Sequence, residues 1–318
     1  MGRRERNMEE YLTEKGQTER ELSELLPYRL VSAAIKCAAV HRSTINEVRL
    51  REGQPLCITS NGKNFVTPRR VSREDIDYTL RKLCSNSLYS HAETIKEGFI
   101  TSKNGVRAGI CGRAVTDGGN ITAVTEVTSL AIRFPRRVYG AADNVYAMLK
   151  KRDFKEGVLI YSRPGIGKTT LLRELACLLS TGEDARRTAI IDTRCELSAG
   201  FEDLTMADVL NSYPRGKGIE IAVRTLSPQY IICDEIGNAS EAEAILEAAH
   251  SGVNIAASAH GGSFDQLMRS PYIARLWETG IFGICLGLLS RDPDGKYLTE
   301  ISYFDKGNDM ILCEECLV

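Results

Sequence analysis

The sequence predicts two domains, a smaller α+β domain over residues 1–137 and an α/β domain with a mainly parallel sheet over residues 138–318. Two observations support this division. The first part mixes short alternating strands, tight-turn dipeptides and capped helices, whereas in the second part short apolar strands alternate with helices, as expected of a parallel sheet with helical crossovers. The length of 318 residues also exceeds that of one average domain.

Polar residue pairs mark helix starts in the first domain. Thr18 with Glu21, and Ser72 with Asp75, have the spacing of a capping box, in which each side chain accepts a hydrogen bond from the main chain of the other residue. Apolar residues follow both pairs at helical spacing. We therefore expect a helix at each pair.

Strands in the same domain are indicated by apolar alternation and by turn dipeptides. Asn61–Gly62 and Asn104–Gly105 are the dipeptides that tight hairpin turns prefer, because both turn positions need a positive φ. The predicted strands are Glu47–Arg51, Leu56–Ile58, Gly98–Ser102 and Val106–Cys111.

The second domain has short apolar runs bounded by helical patterns, which predict the strands of a parallel sheet. A hairpin around Asp294–Gly295 is expected to close it. The predicted strands are Gly157–Tyr161, Thr188–Ile191, Tyr230–Cys233 and Val253–Ala257.

Charge and hydropathy restrict the class of protein. With 41 basic and 42 acidic residues the net charge is −1, so no whole-molecule field attracts nucleic acid or anionic lipid. The charged start lacks the apolar stretch of a secretory signal, and the longest apolar run, Ile281–Leu289, is shorter than the ~20 residues of a spanning helix. We expect a cytoplasmic protein that reaches a membrane only peripherally, through a partner.

The segment Ser162–Thr170 is typical of a phosphate-binding P-loop. It follows an apolar strand and opens an amphipathic helix, which is the context the motif requires. Glycines allow the backbone N–H groups to surround a phosphate, Lys168 supplies a positive charge, and the Thr169 hydroxyl is suited to ligate Mg²⁺. The sequence thus predicts ATP and Mg²⁺ as ligands, and the expected phosphate-binding residues are Pro164, Gly165, Ile166, Gly167, Lys168, Thr169 and Thr170.

Ser162 departs from the usual motif, which begins with glycine. A β-carbon is tolerated at this position if the local φ is negative, so we expect a change in affinity rather than loss of the site. The alternative interpretation of the whole segment is a glycine-rich turn between a strand and a helix, against which the following Lys-Thr-Thr argues.

The apolar strand Tyr230–Cys233 ends in two adjacent carboxylates, as a Walker-B strand does. Asp234 is expected to hold Mg²⁺ through water, and Glu235 to orient and deprotonate the attacking water. A strand that ends in Asp-Glu is often only a solvated turn. The preceding P-loop favours the functional interpretation.

Two further segments are expected at the same edge of the sheet, where open α/β folds bind ligands. In one, His260 either senses the γ-phosphate through a ring N–H or is simply a hydrogen-bonded histidine of a loop. In the other, Glu196 is either a second catalytic carboxylate or part of the N-cap of the next helix.

Taken together, these motifs resemble the stage III sporulation protein AA family of endospore-forming bacteria, and more distantly the secretion ATPases of type II and type IV systems. The resemblance covers nearly the whole chain; it departs at Ser162 and at Thr193, where the family usually carries an acidic residue. The segments that carry it are Glu47–Arg51, Gly98–Arg113, Ser162–Thr170, Ile190–Leu197, Val223–Gly237 and the segment around His260.

This resemblance implies a RecA-like P-loop NTPase domain behind a smaller N-terminal domain. It also implies an ATP-hydrolysing motor in the mother-cell cytoplasm, assembled as a hexameric ring and docked on an integral membrane protein of the sporulation channel to the forespore. Arginines that complete the ATP site across domains or subunits are then expected, each with a structural salt bridge as the alternative role. The candidates are Arg49, Arg51, Arg107, Arg113 and Arg224.

Two other functions stay open from the sequence. One is a nucleotide-gated assembly scaffold with little turnover, which Ser162 and Thr193 favour and the Asp234–Glu235 pair disfavours. The other is a nucleic-acid-dependent ATPase, which the arginines of the first domain suggest. The near-neutral charge and the lack of interleaved aromatic and basic residues make a nucleic-acid partner the weaker expectation.

Overall fold

The computed structural model divides the chain into two compact units, Met1–Arg136 and Arg137–Val318. The structure describes residue 16 and residues 18–41, 44–60, 62–102, 105–135, 138–198, 204–291, 297–304 and 314–317.

The first unit contains an antiparallel sheet with helices on one face. Its strands are β1 Glu47–Arg51, β2 Pro55–Ser60, β3 Lys63–Arg70, β4 Phe99–Thr101, β5 Arg107–Asp117 and β6 Asn120–Arg133. Its helices are α1 (residues 18–25), α2 Tyr28–Val40, α3 Arg73–Leu83 and α4 Ala92–Lys96, and a 3₁₀ turn spans Tyr89–His91. The strand order is β3-β2-β1-β6-β5-β4, so the sheet has an α+β arrangement.

Helix periodicity explains how the core of this unit forms. In α2 the buried residues Leu30, Val31, Ala34 and Ala38 recur at helical spacing and pack in one cluster with the inward residues of the sheet, such as Leu50. Each of these side chains is withdrawn from water, which is the main favourable term in folding.

The predicted helix caps and tight turns of the first unit have different outcomes in the structure. Ser72 and Asp75 form the predicted capping box in front of α3. Thr18 is itself helical and is the first residue of α1, so it does not precede the helix as a cap residue would, and the prediction of a cap there is wrong. Gly62 and Gly105 have φ angles of 75° and 73°, as tight turns require; their neighbours, residues 61 and 104, lie outside the described residues.

The second unit is built on one large sheet. Its strands are β7 Gly157–Ser162, β8 Thr188–Asp192, β9 Ala207–Asn211, β10 Tyr230–Cys233, β11 Asn254–His260, β12 Phe282–Arg291, β13 Tyr297–Tyr303 and β14 Glu314–Leu317. Its helices are α5 Asp143–Lys151, α6 Lys168–Ser180, α7 Arg215–Leu226, α8 Ala239–His250, α9 Phe264–Met268 and α10 Pro271–Glu278.

In the described part of the chain, the strand order of this sheet is β14-β13-β12-β7-β11-β10-β8-β9. The six strands from β12 to β9 are parallel, and β13 and β14 add antiparallel strands at one side. Two separate apolar clusters cover the two faces, as expected when crossover helices lie on both sides of a sheet. The prediction of a mainly parallel α/β sheet is confirmed.

Parallel pairing brings the carboxyl ends of four strands to one edge. Ser162, Asp192, Cys233 and His260 are the last residues of β7, β8, β10 and β11, which are neighbours in the order β7-β11-β10-β8. Ligands of open α/β sheets bind at this kind of edge. The segments in which sequence patterns predict chemistry therefore converge.

Strand β12 was not predicted, because two glycines interrupt its apolar run. The structure explains both. A β-carbon on Gly283 would lie 2.2 Å from Glu156 Oε2, and one on Gly287 would lie 2.4 Å from Tyr161 Cζ, so neighbouring side chains fill the space above each glycine. The hairpin predicted around residues 294–295 lies outside the described residues, and β12 and β13 on either side of it pair antiparallel.

Candidate active site

The loop between β7 and α6 has the backbone that phosphate binding requires. Gly165 and Gly167 adopt φ angles of 81° and 132°, a region that L side chains rarely occupy. A β-carbon on Gly167 would also lie 2.3 Å from Tyr297 Oη, so both the dihedral angle and the packing select glycine. Helix α6 begins at Lys168, and its first N–H groups therefore face the loop.

Ser162 shows why the missing first glycine is tolerated. Its φ is not positive, because the residue still belongs to strand β7, and its side chain is buried. The hydroxyl donates to the Arg163 carbonyl at 2.7 Å and accepts from Lys168 Nζ at 3.3 Å. The serine is thus part of the loop's hydrogen-bond network rather than a source of strain.

The ammonium group of Lys168 is buried and folded back onto the loop. It donates to the Ser162 carbonyl at 3.2 Å and contacts His260 Nδ1 at 3.5 Å. Burial lowers the pKa of Lys168, and the charge of Glu235 opposes this shift. In this arrangement neutral acceptors surround the ammonium, and an anion at the loop is a stronger partner than any of them.

Asp234 follows β10 directly and is almost fully buried, with 2% exposure. Arg215, at the start of α7, donates to its Oδ1 at 3.0 Å and also pairs with Glu241 of α8. Glu241 in turn accepts from the Gly237 N–H at 2.8 Å. This buried network fixes the Asp234 carboxylate and the turn after it, because breaking any one pair would leave a buried charge uncompensated.

Glu235 is adjacent in sequence but lies in different surroundings. Its φ of 45° is unusual for a residue with a side chain, and its N–H is held by the Ser258 hydroxyl at 3.0 Å. One carboxylate oxygen is 3.0 Å from His260 Nε2, and the other is 2.9 Å from the guanidinium of Arg194. The left-handed turn therefore directs the carboxylate towards the P-loop side chains instead of the core.

His260 links the P-loop lysine to this carboxylate. An ammonium group can only donate, so Nδ1 of His260 is the acceptor in its contact with Lys168. The ring proton then lies on Nε2, which donates to Glu235. Lys168, His260, Glu235 and Arg194 thus form a continuous chain of polar contacts across the strand ends.

Asp192 organises the turn that follows β8. It is fully buried and accepts hydrogen bonds from the Glu196 N–H, the Ser198 N–H and the Ser198 hydroxyl, each at 2.8 Å. The Glu196 carbonyl accepts from Arg173, at 2.6 and 3.0 Å. Glu196 therefore has main-chain contacts that hold the turn, and the next element that the structure describes is strand β9 rather than the helix of the N-cap alternative.

Within one chain, Arg224 does not join the polar contacts of Lys168, His260, Glu235 and Arg194. It belongs to the last turn of α7, is 73% exposed and pairs with Glu220 at 3.2 Å. Nine residues separate it from Arg215, which corresponds to about 13 Å along the helix axis. In the first unit, Arg49 pairs with Glu47, and the Arg107 guanidinium lies 4.9 Å from the ring centroid of Phe99.

Sequence reasoning did not single out Arg194, Arg215 or Ser258 as site residues. Arg194 and Ser258 belong to strand-end segments that were already identified, so their position was available as a signal. Arg215 had no local signal, because its partner Asp234 is distant in sequence and only the packing of α7 against the sheet brings them together.

The donor set fits a magnesium ion that is bound mainly by phosphate and water. Among the described residues there is no group of three or more His, Cys, Asp or Glu side chains that could hold a metal ion. Mg²⁺ commonly takes one or two protein oxygens and completes its shell with substrate phosphates and water. The Thr169 hydroxyl and the Asp234 carboxylate are suitable oxygens, and Arg215 engages only Oδ1 of the latter among the hydrogen bonds of the described residues.

Comparison with known proteins identifies the family. The family model described as "Sporulation stage III, protein AA" matches residues 17–307. The chain belongs to this family. A curated member, stage III sporulation protein AA of Bacillus subtilis (strain 168), is 32% identical over 300 residues, which cover 92% of this chain and 96% of that protein. The resemblance inferred from the motifs is confirmed.

Solved structures show the same fold at low sequence identity. The ATPase DotB of Legionella pneumophila superposes with a TM-score of 0.58 at 17% identity, covering 87% of this chain and 80% of that chain. The pilus retraction motor PilT, solved with bound ADP, superposes with a TM-score of 0.57 at 15% identity. The match covers 85% of this chain and 83% of that chain. The RecA-like fold expected of this family member is confirmed. In the part of its chain that the structure describes, no helix is both long and apolar enough to cross a membrane.

Proposed function

We propose that this member of the stage III sporulation protein AA family is an ATPase that hydrolyses ATP to ADP and phosphate and acts as the motor of a sporulation channel. One observation carries the proposal. Lys168 of the P-loop and Glu235 of the β10 strand end contact the same imidazole ring, that of His260, so the phosphate-binding and water-activating groups converge at one edge of the sheet.

Each side chain has a distinct chemical role in this proposal. The loop N–H groups around Gly165 and Gly167, together with Lys168, bind the β- and γ-phosphates. The Thr169 and Asp234 oxygens orient Mg²⁺, which supplies charge neutralisation to the phosphates. Glu235 accepts the proton of the attacking water, and the His260 N–H keeps its carboxylate oriented. The adjoining residues Pro164, Ile166 and Thr170 complete the loop.

Other sequence-predicted residues have supporting roles in the proposal. In this proposal Glu196 is a second catalytic carboxylate. Its main chain is fixed by hydrogen bonds with Asp192 and Arg173, which hold the residue in the turn after β8. Arg224 is exposed within one chain, and its role in this proposal is to contact a nucleotide bound to a neighbouring subunit. Such a guanidinium stabilises charge that develops on the γ-phosphate.

The assembly that we propose is a hexameric ring in the cytoplasm, docked on the cytoplasmic part of an integral membrane protein of the channel. Residues 1–137 act as the domain that transmits motion, and residues 138–318 as the ATPase domain. Family membership and the fold shared with DotB and PilT support this assignment. A nucleic-acid partner is not part of it, because the net charge of −1 supplies no attraction to a polyanion.

A nucleotide-gated scaffold with little turnover is the second candidate. It is favoured by the engagement of both oxygens of Glu235, one of them by the full charge of Arg194. A carboxylate held in this way has fewer lone pairs open to a proton from water than one that faces only water.

Phosphate release by the purified full chain distinguishes these functions. We expect Mg²⁺-dependent release from ATP that rises when the cytoplasmic domain of the membrane partner is added and does not respond to single-stranded DNA. Lys168→Ala serves as the inactive control. ATP binding without phosphate release, with or without the partner, would favour the scaffold, and stimulation by DNA alone would favour a nucleic-acid-dependent enzyme.

A further inference from the structure

Arg194 lies in the turn after β8 and reaches across to Glu235. One of its terminal nitrogens is 2.9 Å from Oε2 of Glu235, although 57% of the arginine side chain remains exposed. Glu235 is only 26% exposed, and solvent screening at the arginine end of the pair limits its contribution to stability. Its place between the P-loop cluster and solvent requires a different explanation.

The main chain that carries Arg194 is fixed on both sides. Asp192 precedes it by two residues and accepts from the N–H groups of Glu196 and Ser198, and Arg173 holds the Glu196 carbonyl. Only the side chain of Arg194 is therefore able to move without disrupting buried hydrogen bonds.

While the pair persists, Arg194 and His260 compete with water for the two oxygens of Glu235. His260 already donates to Oε1 of Glu235, so Arg194 occupies the second oxygen. A water molecule that is to lose its proton needs one of these oxygens as acceptor. The imidazole of His260 is also in contact with Lys168, whereas the Arg194 side chain is 57% exposed, so Arg194 is the group that can leave.

We propose that Arg194 distinguishes ATP from ADP, by leaving Glu235 to bind the γ-phosphate and thereby releasing the catalytic carboxylate. This inference rests on the proposed ATPase function. A terminal phosphate carries more negative charge than a carboxylate and matches the planar guanidinium fork. The transfer is favoured because solvent screens the exposed Arg194 end of the ion pair that it breaks. With ADP bound the γ-phosphate is missing, and Glu235 stays paired.

Binding measurements test this role without relying on turnover. The affinities of the full chain for ADP and for a non-hydrolysable ATP analogue are measured with Mg²⁺ by calorimetry. We expect Arg194→Ala to bind ADP as the wild type does and to lose about tenfold in affinity for the analogue, as for one charge-assisted hydrogen bond. Arg275→Ala is the matched control, because Arg275 forms an exposed ion pair of similar length, 3.1 Å, with Glu243 on other helices of the same unit.

A double-mutant cycle with Glu235→Gln separates this role from a structural one. The neutral amide frees Arg194, so Glu235→Gln should raise the preference for the analogue over ADP, and this gain should vanish in Arg194→Ala/Glu235→Gln. An unchanged preference in Arg194→Ala would overturn the inference and leave the ATPase proposal intact. An equal loss for both nucleotides would show that Arg194 only shapes the turn. If the wild type binds neither nucleotide, the proposed function itself fails.

Discussion

Asp234 and Glu235 are adjacent in sequence but lie in different environments, and Glu235 has a left-handed backbone conformation. Asp234 directly follows strand β10 and is buried beside Arg215, whereas Glu235 has a φ of 45° and contacts His260 and Arg194. In the site that we propose, an oxygen of Asp234 accepts from a metal-bound water and an oxygen of Glu235 accepts a proton. The local turn thus divides two chemical roles between neighbours of the same charge.

Lys168→Ala should lower ATP affinity at least about a hundredfold, because it deletes a cation that makes charge-assisted contacts with the phosphates. The second unit should stay folded, since the hydrogen-bond partners that lose the ammonium, on Ser162 and His260, are not carboxylates. Fluorescent-nucleotide titration and a thermal melt measure the two effects. Wild-type affinity in a folded variant would refute the assignment of the phosphate site.

Glu235→Gln should keep ATP and Mg²⁺ bound while lowering hydrolysis by about 10²–10⁴-fold, as expected when a general base is lost. The amide preserves the shape of the side chain, and its oxygen still accepts from His260 Nε2. Single-turnover phosphate release gives the rate. Unchanged turnover would assign the base to another group, with Glu196 the next candidate.

At the scale of elements, the sheet of the second unit is shaped by glycines that admit neighbouring side chains. Gly287 of β12 lies directly against the ring of Tyr161 in β7, whose hydroxyl donates to Glu300 of β13 at 2.5 Å. Strand β7 leads into the P-loop, so this contact joins the loop's supporting strand to the antiparallel side of the sheet.

Gly287→Ala should destabilise the second unit by about 1–3 kcal/mol, since the new methyl group requires the Tyr161 ring to move. Urea denaturation measures the change in the free energy of unfolding. Tyr161→Leu removes the ring, and in that background the same substitution should cost much less. An equal cost in both backgrounds would mean that backbone entropy, not the ring, determines the effect.

For the molecule as a whole, the described residues of one chain do not bring Arg224 to the strand-end cluster. A ring of subunits gives such exposed arginines a role, because a neighbour can supply the charge that a single chain lacks. In the ring that we propose, nucleotide binding and assembly are linked, and each strengthens the other.

Glu235→Gln with ATP and Mg²⁺ should sediment as a larger species than the same variant without nucleotide, because the trapped triphosphate holds the assembled state. Sedimentation velocity at several protein concentrations measures this. Lys168→Ala/Glu235→Gln, which lacks the phosphate-binding cation, should not respond to ATP. An ATP-bound monomer would remove the ring from the proposal and leave the hydrolase intact.

The sequence by itself determined the parallel α/β class, the P-loop between β7 and α6, and the family, because these depend on patterns that are local along the chain: apolar runs, glycines at fixed spacing, and Lys-Thr-Thr at a helix start. It missed β12, where Gly283 and Gly287 look like breaks, because the side chains that fill the space above them belong to Glu156 and Tyr161 in other segments. Only the tertiary structure decided that Arg215 holds Asp234, that His260 joins Lys168 to Glu235, and that Arg194 pairs with Glu235. The physical reason is that these contacts connect the ends of different strands, and the order in which strands assemble in a sheet is set by packing over the whole domain rather than by any local preference of the chain.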